Sequence, residues 1–419
     1  MSSVTKPIML DETGKSIEQA IMSVASAINA EYGVVYGFHI DGAESSPSAN
    51  VTYLKDAVGM TPAAMNYSTG EFDYGSWENA FFMPRPCMLK SNGMVDYYLD
   101  PDDYTKKLDG TASDIADTTY DGNAMMEWGR NGKKIWLKIV PDSNHKGASF
   151  YIADHKVDST YHDWAFHDSN GASADHFYTA IYNGSLDTNS KLRSLSGQTV
   201  MKSKTAANER TYAQANGATM WDIEKKADID LINTLLVLIS KTTDTQTAFG
   251  EGLHTSGTEA INDGFTTGIH NAKGLFYGTN SGAAATYTNA VKVFGMENWW
   301  GFQWRRYVGH IMVNGVQKVK LTYGTEDGST ATGFNLDGTG YIVEGAAAPS
   351  GTSGGYISEQ YYSEEGMFPT VASGESNKYM CDGLWFNNSI TAVPCRGGRS
   401  AYGAPVGAFC VSLNGRSEE

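Results

Sequence analysis

The sequence predicts an α+β chain that is β-rich from residue 33 onward, with helix confined to a few segments. Three observations carry that expectation. Short apolar runs separated by turn residues recur at residues 34–40, 80–83, 95–99 and 134–140, which is strand patterning. The 419 residues include 46 Gly against 11 Pro, with 24 Tyr and 9 Trp, a composition suited to many tight turns between short strands. Residues 221–241 show the clearest helical spacing, with Ile223, Ala227, Leu231, Leu235 and Leu238 on one stripe.

At the start of the chain, Ile17, Ile21, Val24, Ala25 and Ile28 recur at helical spacing behind Thr13 and Ser16, either of which can cap a helix over residues 11–30. So short a helix is marginal alone. It is expected to pack either on its own chain or on a sister subunit or attachment partner, the second giving a homo-oligomer with a trimer as one candidate order. Gly14, Lys15 and Ser16 do not make a phosphate-binding loop, because Met9 stands where that loop needs its first Gly. No run of about eighteen apolar residues occurs, so no membrane insertion is expected.

The net charge of -16 argues against nucleic acid and anionic membrane as partners, since both need a basic face. Cys87, Cys381, Cys395 and Cys410 are too few for a disulfide scaffold. Free thiols made in a reducing cytosol are expected, with a Cys395–Cys410 bridge as the alternative. The acidic turn at Asp100, Pro101, Asp102 and Asp103 lacks the Gly and distal Glu of a calcium loop and reads as a solvated turn. His155, His162, His167 and His176 each stand beside an Asp. That is a chemistry that suits a transition metal but without ligand spacing, so no metal site is assigned.

Residues 250–290 read as long ordered loops. Trp299, Trp300, Trp304 and Tyr307 follow within a dozen residues; they are either a sugar-stacking platform or, the stronger reading, core. Residues 345–355 form a Gly/Ser/Ala-rich surface loop. Its Gly351, Ser353 and Gly355 match the nucleophile-elbow pattern without the strand and helix that pattern needs.

The last stretch differs from all of this. Residues 386–417 contain no Lys, Glu, Gln, Met or Trp, although the chain holds 16 Met and 9 Trp. None of those five types has a codon ending in a pyrimidine. Asn codons whose adenines are randomised while the third base stays C or T yield Phe, Ser, Tyr, Ile, Leu, Thr, Val, Pro, Cys, Arg, Ala, Asp and Gly, which fits the residues present. A Gly/Ser-rich strand-and-loop region lacking long charged side chains is the plainer alternative.

Arg396, Gly397 and Gly398, then Gly403, then Gly407, Ala408 and Phe409 resemble the C-terminal signature of the variable proteins of diversity-generating retroelements in phages of gut bacteria. That family is similar to C-type lectins, in the branch that includes the formylglycine-generating enzyme. Trp221, Asp222 and Ile223, residues 239–252, and Glu297 through Gly301 continue the likeness upstream. Three parts are expected: residues 1–32 for attachment or oligomerisation, a β-rich domain over 33–145, and, as the resemblance implies, a C-type lectin-like ligand-binding domain over 146–419. Its variable region covers about 385–417, with the 221–241 helix beneath a small antiparallel sheet.

The resemblance further implies a phage tail receptor-binding protein, located in the virion tail and made in the host cytoplasm. It would bind a bacterial surface protein or glycan and assemble with other tail proteins. The expected ligand-contacting residues are Trp385, Phe386, Asn387, Ser389, Thr391, Arg399, Ser400, Tyr402 and Pro405, while Arg396, Gly397 and Gly398 hold the turn. Neither Glu-Pro-Asn nor Gln-Pro-Asp, the calcium tripeptides of sugar-binding lectins, is present, so no metal or other cofactor is expected. Two other classes compete: an enzyme, either formylglycine-generating-like or glycan-hydrolysing, and a structural virion decoration protein. No activated nucleophile or paired acid and base stands out, so no catalytic residue is assigned and an enzyme is not expected.

Overall fold

The computed structural model describes residues 33–42, 46–254, 264–280, 289–400 and 402–415; the helix expected over residues 11–30 lies outside them. The chain is β-rich, with 32% strand against 11% helix. Among the described residues no helix is long and apolar enough to cross a membrane.

Two four-stranded antiparallel sheets come from the first half. In one, Val35–Ile40 lies between Val51–Lys55 and Ala148–Ala153, and Trp136–Pro141 completes the order. Phe38 and Phe150, opposite each other in that register, stack with ring centroids 4.9 Å apart, the kind of cross-strand pair that stabilises a sheet. The other runs Phe177–Ala180, Gly122–Trp128, Arg85–Lys90, Val95–Tyr98. All of Gly122–Trp128 is buried. Ala124, Met126 and Trp128 join the main core, while Met125 joins Cys87 and Leu89 in a second cluster on the other face.

The second half builds an eight-stranded sheet in the order Glu224–Lys225, Arg305–Val308, Cys395–Arg396, Val411–Leu413, Gly383–Phe386, Gly355–Ser363, Gly366–Gly374, Ser350–Gly351. It is larger than the small antiparallel sheet expected, and mixed. Three of its pairings are parallel, because those strands are joined by connections long enough to cross over. A further sheet orders Ile342–Val343, Val316–Val319, His310–Val313 and Thr391–Ala392.

The helix Lys226–Ser240 is the hub. It begins five residues later than the periodicity predicts, after the short strand Glu224–Lys225, and ends where Lys241 turns left-handed at φ 54°. All fifteen of its residues are buried, as befits a helix apolar on more than one face. Lys226 survives burial by pairing with Asp230 one turn along and donating to Met367 O at 3.0 Å. Tyr53 donates to Leu238 O at 2.7 Å and Ala63 N to Ile239 O at 2.7 Å, so the first half is bonded to the helix end.

One hydrophobic cluster extends from Phe38 to Leu413. Residue 145 lies in the connection between Trp136–Pro141 and Ala148–Ala153. There His145 stacks on Tyr361 at 4.5 Å and its carbonyl accepts from Tyr362 N at 2.9 Å. Residues 80–83, expected as strand, are instead a buried double turn: Ala80 N bonds to Trp77 O at 3.1 Å and Met83 N to Ala80 O at 3.0 Å. Phe82 is sealed inside, and an apolar run this short carries no period to separate the two conformations.

Candidate functional site

Arg396, Glu224 and Trp299 meet in a buried frame. Arg396 gives its Nε and Nη2 to the two oxygens of Glu224, each at 2.6 Å, and its Nη1 to Trp299 O at 2.9 Å. Its guanidinium lies 3.5 Å above the Trp299 ring. Burial alone would raise the Glu224 carboxyl, but Arg305 and Arg396 hold it below its usual value. Burial, aided by Arg396, pushes Arg305 down to about 9. Trp299 in turn donates to Asn233 on the central helix at 3.0 Å, and Asn233 donates to Ala408 O at 2.8 Å. A bidentate, stacked Arg of this kind is geometrically demanding, so Arg396 ties helix, sheet and the 407–410 turn together.

The glycines of this frame have physical reasons. Gly398 adopts φ +72°, and a Cβ there would stand 2.4 Å from Val406 Cγ1. A Cβ at Gly407 would stand 2.0 Å from Asp382 Oδ1, whose carboxylate accepts from Phe409 N at 2.7 Å. Arg396, Gly397 and Gly398 are all buried, holding the turn and offering nothing to a ligand.

Against this frame the segment presents side chains at the mouth of a cleft of about 980 Å³. Trp385, at the start of the segment, and Tyr402, near its middle, meet with centroids 5.0 Å apart and planes at 87°. Trp304 joins both, at 5.4 Å and 5.7 Å, again edge to face, the arrangement aromatic quadrupoles favour. Arg399 sits 4.6 Å over the Tyr402 ring. All four are half-buried and line the cleft. Gly354 and Gly383 make room for the Trp385 indole, since a Cβ on either would come within 2.8 Å of it. Ser353 bonds both backbone groups of Phe386, accepting from N at 3.1 Å and donating to O at 3.2 Å. The nucleophile-like pattern in residues 351–355 is thus a brace for the segment.

The other expected contacts separate from this cluster. Pro405 is half-buried beside Gly383, whose N donates to Pro405 O at 2.8 Å. Phe386 ends the strand Gly383–Phe386 and Thr391 begins the strand Thr391–Ala392, with Asn387 and Ser389 exposed in the turn between them and none of the four lining the cleft. Asn387 Oδ1 accepts from Ser389 N at 3.0 Å and shapes that turn. Ser400 is fully buried, its N bonded to Phe302 O, so its hydroxyl is not on the surface.

No protein-family model and no curated protein matches this chain. The site must therefore be judged on its chemistry. The four cysteines are free and buried; burial pushes the Cys395 thiol, at the cleft wall, up to about 12, which keeps it protonated. The four histidines singled out in the sequence have separate uses. His155 bonds Asp154, His167 bonds Asp163 and Gly171 O, His176 faces Trp128 O, and His162 stacks on Trp164. Among the described residues no three potential ligands gather around one point.

Two wall residues were missed from sequence. Trp304 sat in an aromatic run read as core, and its neighbours Trp299, Trp300 and Tyr307 are indeed buried. The available signal was its place between Gln303 and two arginines. Asn183 carried no signal at all.

Proposed function

We propose that this chain is a phage tail receptor-binding protein whose C-terminal half is a C-type lectin-like fold displaying a diversified surface to a bacterial host ligand. The observation that carries this reading is the division of labour within residues 385–417. Trp385, Arg399 and Tyr402 reach the cleft mouth, while Arg396, Gly397, Gly398 and Gly407 are locked in the buried frame. Such a segment can change its outward side chains without disturbing the sheet. Rigid aromatic and Arg anchors with adaptable hydroxyl and amide neighbours are the chemistry of binding surfaces. The helix buried beneath a mixed sheet supports the lectin-like reading, and the protonated Cys395 speaks against thiolate chemistry at this site. The ligand is a bacterial surface protein or glycan, with assembly into the virion tail beside other tail proteins.

The test is the triple change Trp385→Ala, Arg399→Ala and Tyr402→Ala. Adsorption to host cells is expected to weaken more than about tenfold, about 1.4 kcal/mol, with little change in Tm. Unfolding of the variant would assign these side chains to the core. Normal adsorption by a folded variant would move the ligand site elsewhere. A reverse-transcriptase gene beside this one, with a near-copy of the 3′ end carrying adenines at the varying positions, would independently support diversification.

A further inference from the structure

The protein as a whole is acidic, with a net charge of -16, yet the wall of the cleft has the opposite balance. Among the described residues seven Lys and Arg side chains line it against five carboxylates. A cleft with a surplus of one sign focuses its field on whatever enters.

Four of the carboxylates are answered within the protein. Glu209 pairs with Arg306 at 2.8 Å and Asp228 with Lys225 at 3.3 Å, both cations being of the wall itself. Asp222 takes Arg210 at 2.7 Å, while Glu224 takes two cations, Arg305 at 3.2 Å and Arg396 at 2.6 Å. The fifth, Asp168, is exposed and braces its own turn, accepting from Asn170 N at 2.8 Å and Ala172 N at 3.0 Å. Arg193 is committed to Asp187 at 3.2 Å. The further cations of the wall are Lys202, Lys204 and Arg399. Lys202 is exposed, and Arg399 lies 4.6 Å over the Tyr402 ring. Lys204 is half-buried, and its carbonyl accepts from Arg306 Nη1 at 2.8 Å. Among the described residues the Lys204 ammonium has no ion pair, so its charge is left for an entering anion.

Rings complete the wall. Trp304 precedes Arg305 in the chain and meets Tyr402 edge to face at 5.7 Å, and the half-buried Trp221 spends its indole N–H on Ser91 O at 2.9 Å. Flat rings beside cations suit a sugar that carries acidic groups, its apolar faces on the rings and its anions on Lys and Arg. Nucleic acid is a poor match, because its binding needs many phosphate contacts on a strongly basic face. The volume of about 980 Å³ is near the top of the usual range for ligand pockets, about 300 to 1,000 Å³, which leaves room for several sugar rings.

We infer that this cleft binds an acidic oligosaccharide, with Lys204 and Arg399 holding its carboxylate or phosphate groups and Trp304 facing a sugar ring. This names the ligand class for the binding surface proposed above and rests on that reading.

Calorimetric titration of the full chain tests it, with hexagalacturonate and hexasialate as carboxylated sugars and a ribitol phosphate hexamer as the phosphorylated one. The methyl esters of the two carboxylated sugars, hexaglutamate and hexathymidylate run alongside. At least one acidic sugar is expected to saturate with a Kd below about 1 mM. Its affinity should fall about tenfold or more between about 0.05 M and 0.5 M salt, and a carboxylated sugar should lose as much on esterification. Lys204→Ala should weaken binding about tenfold without lowering the Tm, and Lys204→Arg should retain it. Should Lys204→Ala fail to fold, Lys204 is structural and the proposal is overturned. No binding of any acidic sugar at about 10 mM, equal binding of the esters, or binding of hexaglutamate or hexathymidylate as tight as that of the sugars would also overturn it. Host adsorption lost in the Trp385, Arg399 and Tyr402 variant while no acidic sugar binds would leave the receptor-binding reading standing and overturn this one. Acidic-sugar binding with adsorption unchanged in that variant would do the reverse.

Discussion

At Gly407 the absence of a side chain is a steric requirement, since a methyl group there would collide with the Asp382 carboxylate at 2.0 Å. Asp382 is fully enclosed and bonded to Phe409 N, so it has nowhere to retreat. Gly407→Ala is expected to cost about 3 kcal/mol or more, measured by urea unfolding, as overpacking that also breaks a buried polar contact; a loss below about 1 kcal/mol would mean the turn can shift. Asp228 gives a pH-dependent prediction. Burial raises its carboxyl from 3.8 to about 6 against the pull of Lys225. A carboxyl raised in the folded state stabilises the fold fully below its unfolded value, and that contribution is lost as pH climbs through about 6. Asp228→Asn should therefore match the parent near pH 4 and become relatively more stable, by on the order of 1–3 kcal/mol, above pH 6. A gap that stays constant across thermal melts at these pH values would show that Asp228 does not titrate in this window. At this scale the sequence was informative where backbone demands are strict: Gly397 and Gly398 read as turn residues and are left-handed at φ 80° and 72°. It was silent on Asn183, whose buried, unpartnered amide exists only through the packing of distant elements.

Among the elements, the loop ending at Gly355 acts on the C-terminal segment through one hydroxyl. Ser353 holds both backbone groups of Phe386, the last residue of the strand Gly383–Phe386. Ser353→Ala should leave the fold intact and cost about 0.5–1.5 kcal/mol locally, read as up to about tenfold faster hydrogen exchange at the Phe386 amide. Unchanged exchange there would mean the strand end is held by its sheet partners alone. The helix Lys226–Ser240 was legible from the stripe of Ala227, Leu231, Leu235 and Leu238, a spacing that says nothing of the burial of Asp228 and Asp230. Both are buried because Lys225 and Lys226 came with them. Residues 80–83 were misread because four apolar residues before Pro84 hold no period. Trp304 was misassigned for a related reason: a run of aromatic residues does not reveal which ring reaches the surface at the end of the strand Arg305–Val308.

For the whole molecule, the main hydrophobic cluster joins residues from Phe38 to Leu413, and the 145–146 connection docks on the strand Gly355–Ser363. The apolar stripe at Ile17, Ile21, Val24 and Ile28 motivates a prediction at this scale. Removing residues 1–30 should lower the solution mass from oligomer to single chain, as measured by light scattering, while leaving the Tm of the remainder nearly unchanged. A full-length protein that is already a single chain, or a shortened one that stays assembled, would count against this. The segment after residue 383 supplies strands to two sheets, at Gly383–Phe386, Thr391–Ala392, Cys395–Arg396 and Val411–Leu413. For anyone building a combinatorial library on this chain, that interleaving sets the alphabet position by position. Residues 387 and 389 are exposed and impose the least steric demand. Residues 396–398 and 407–410 must keep their wild-type codons, or most clones will never reach the selection step as folded protein.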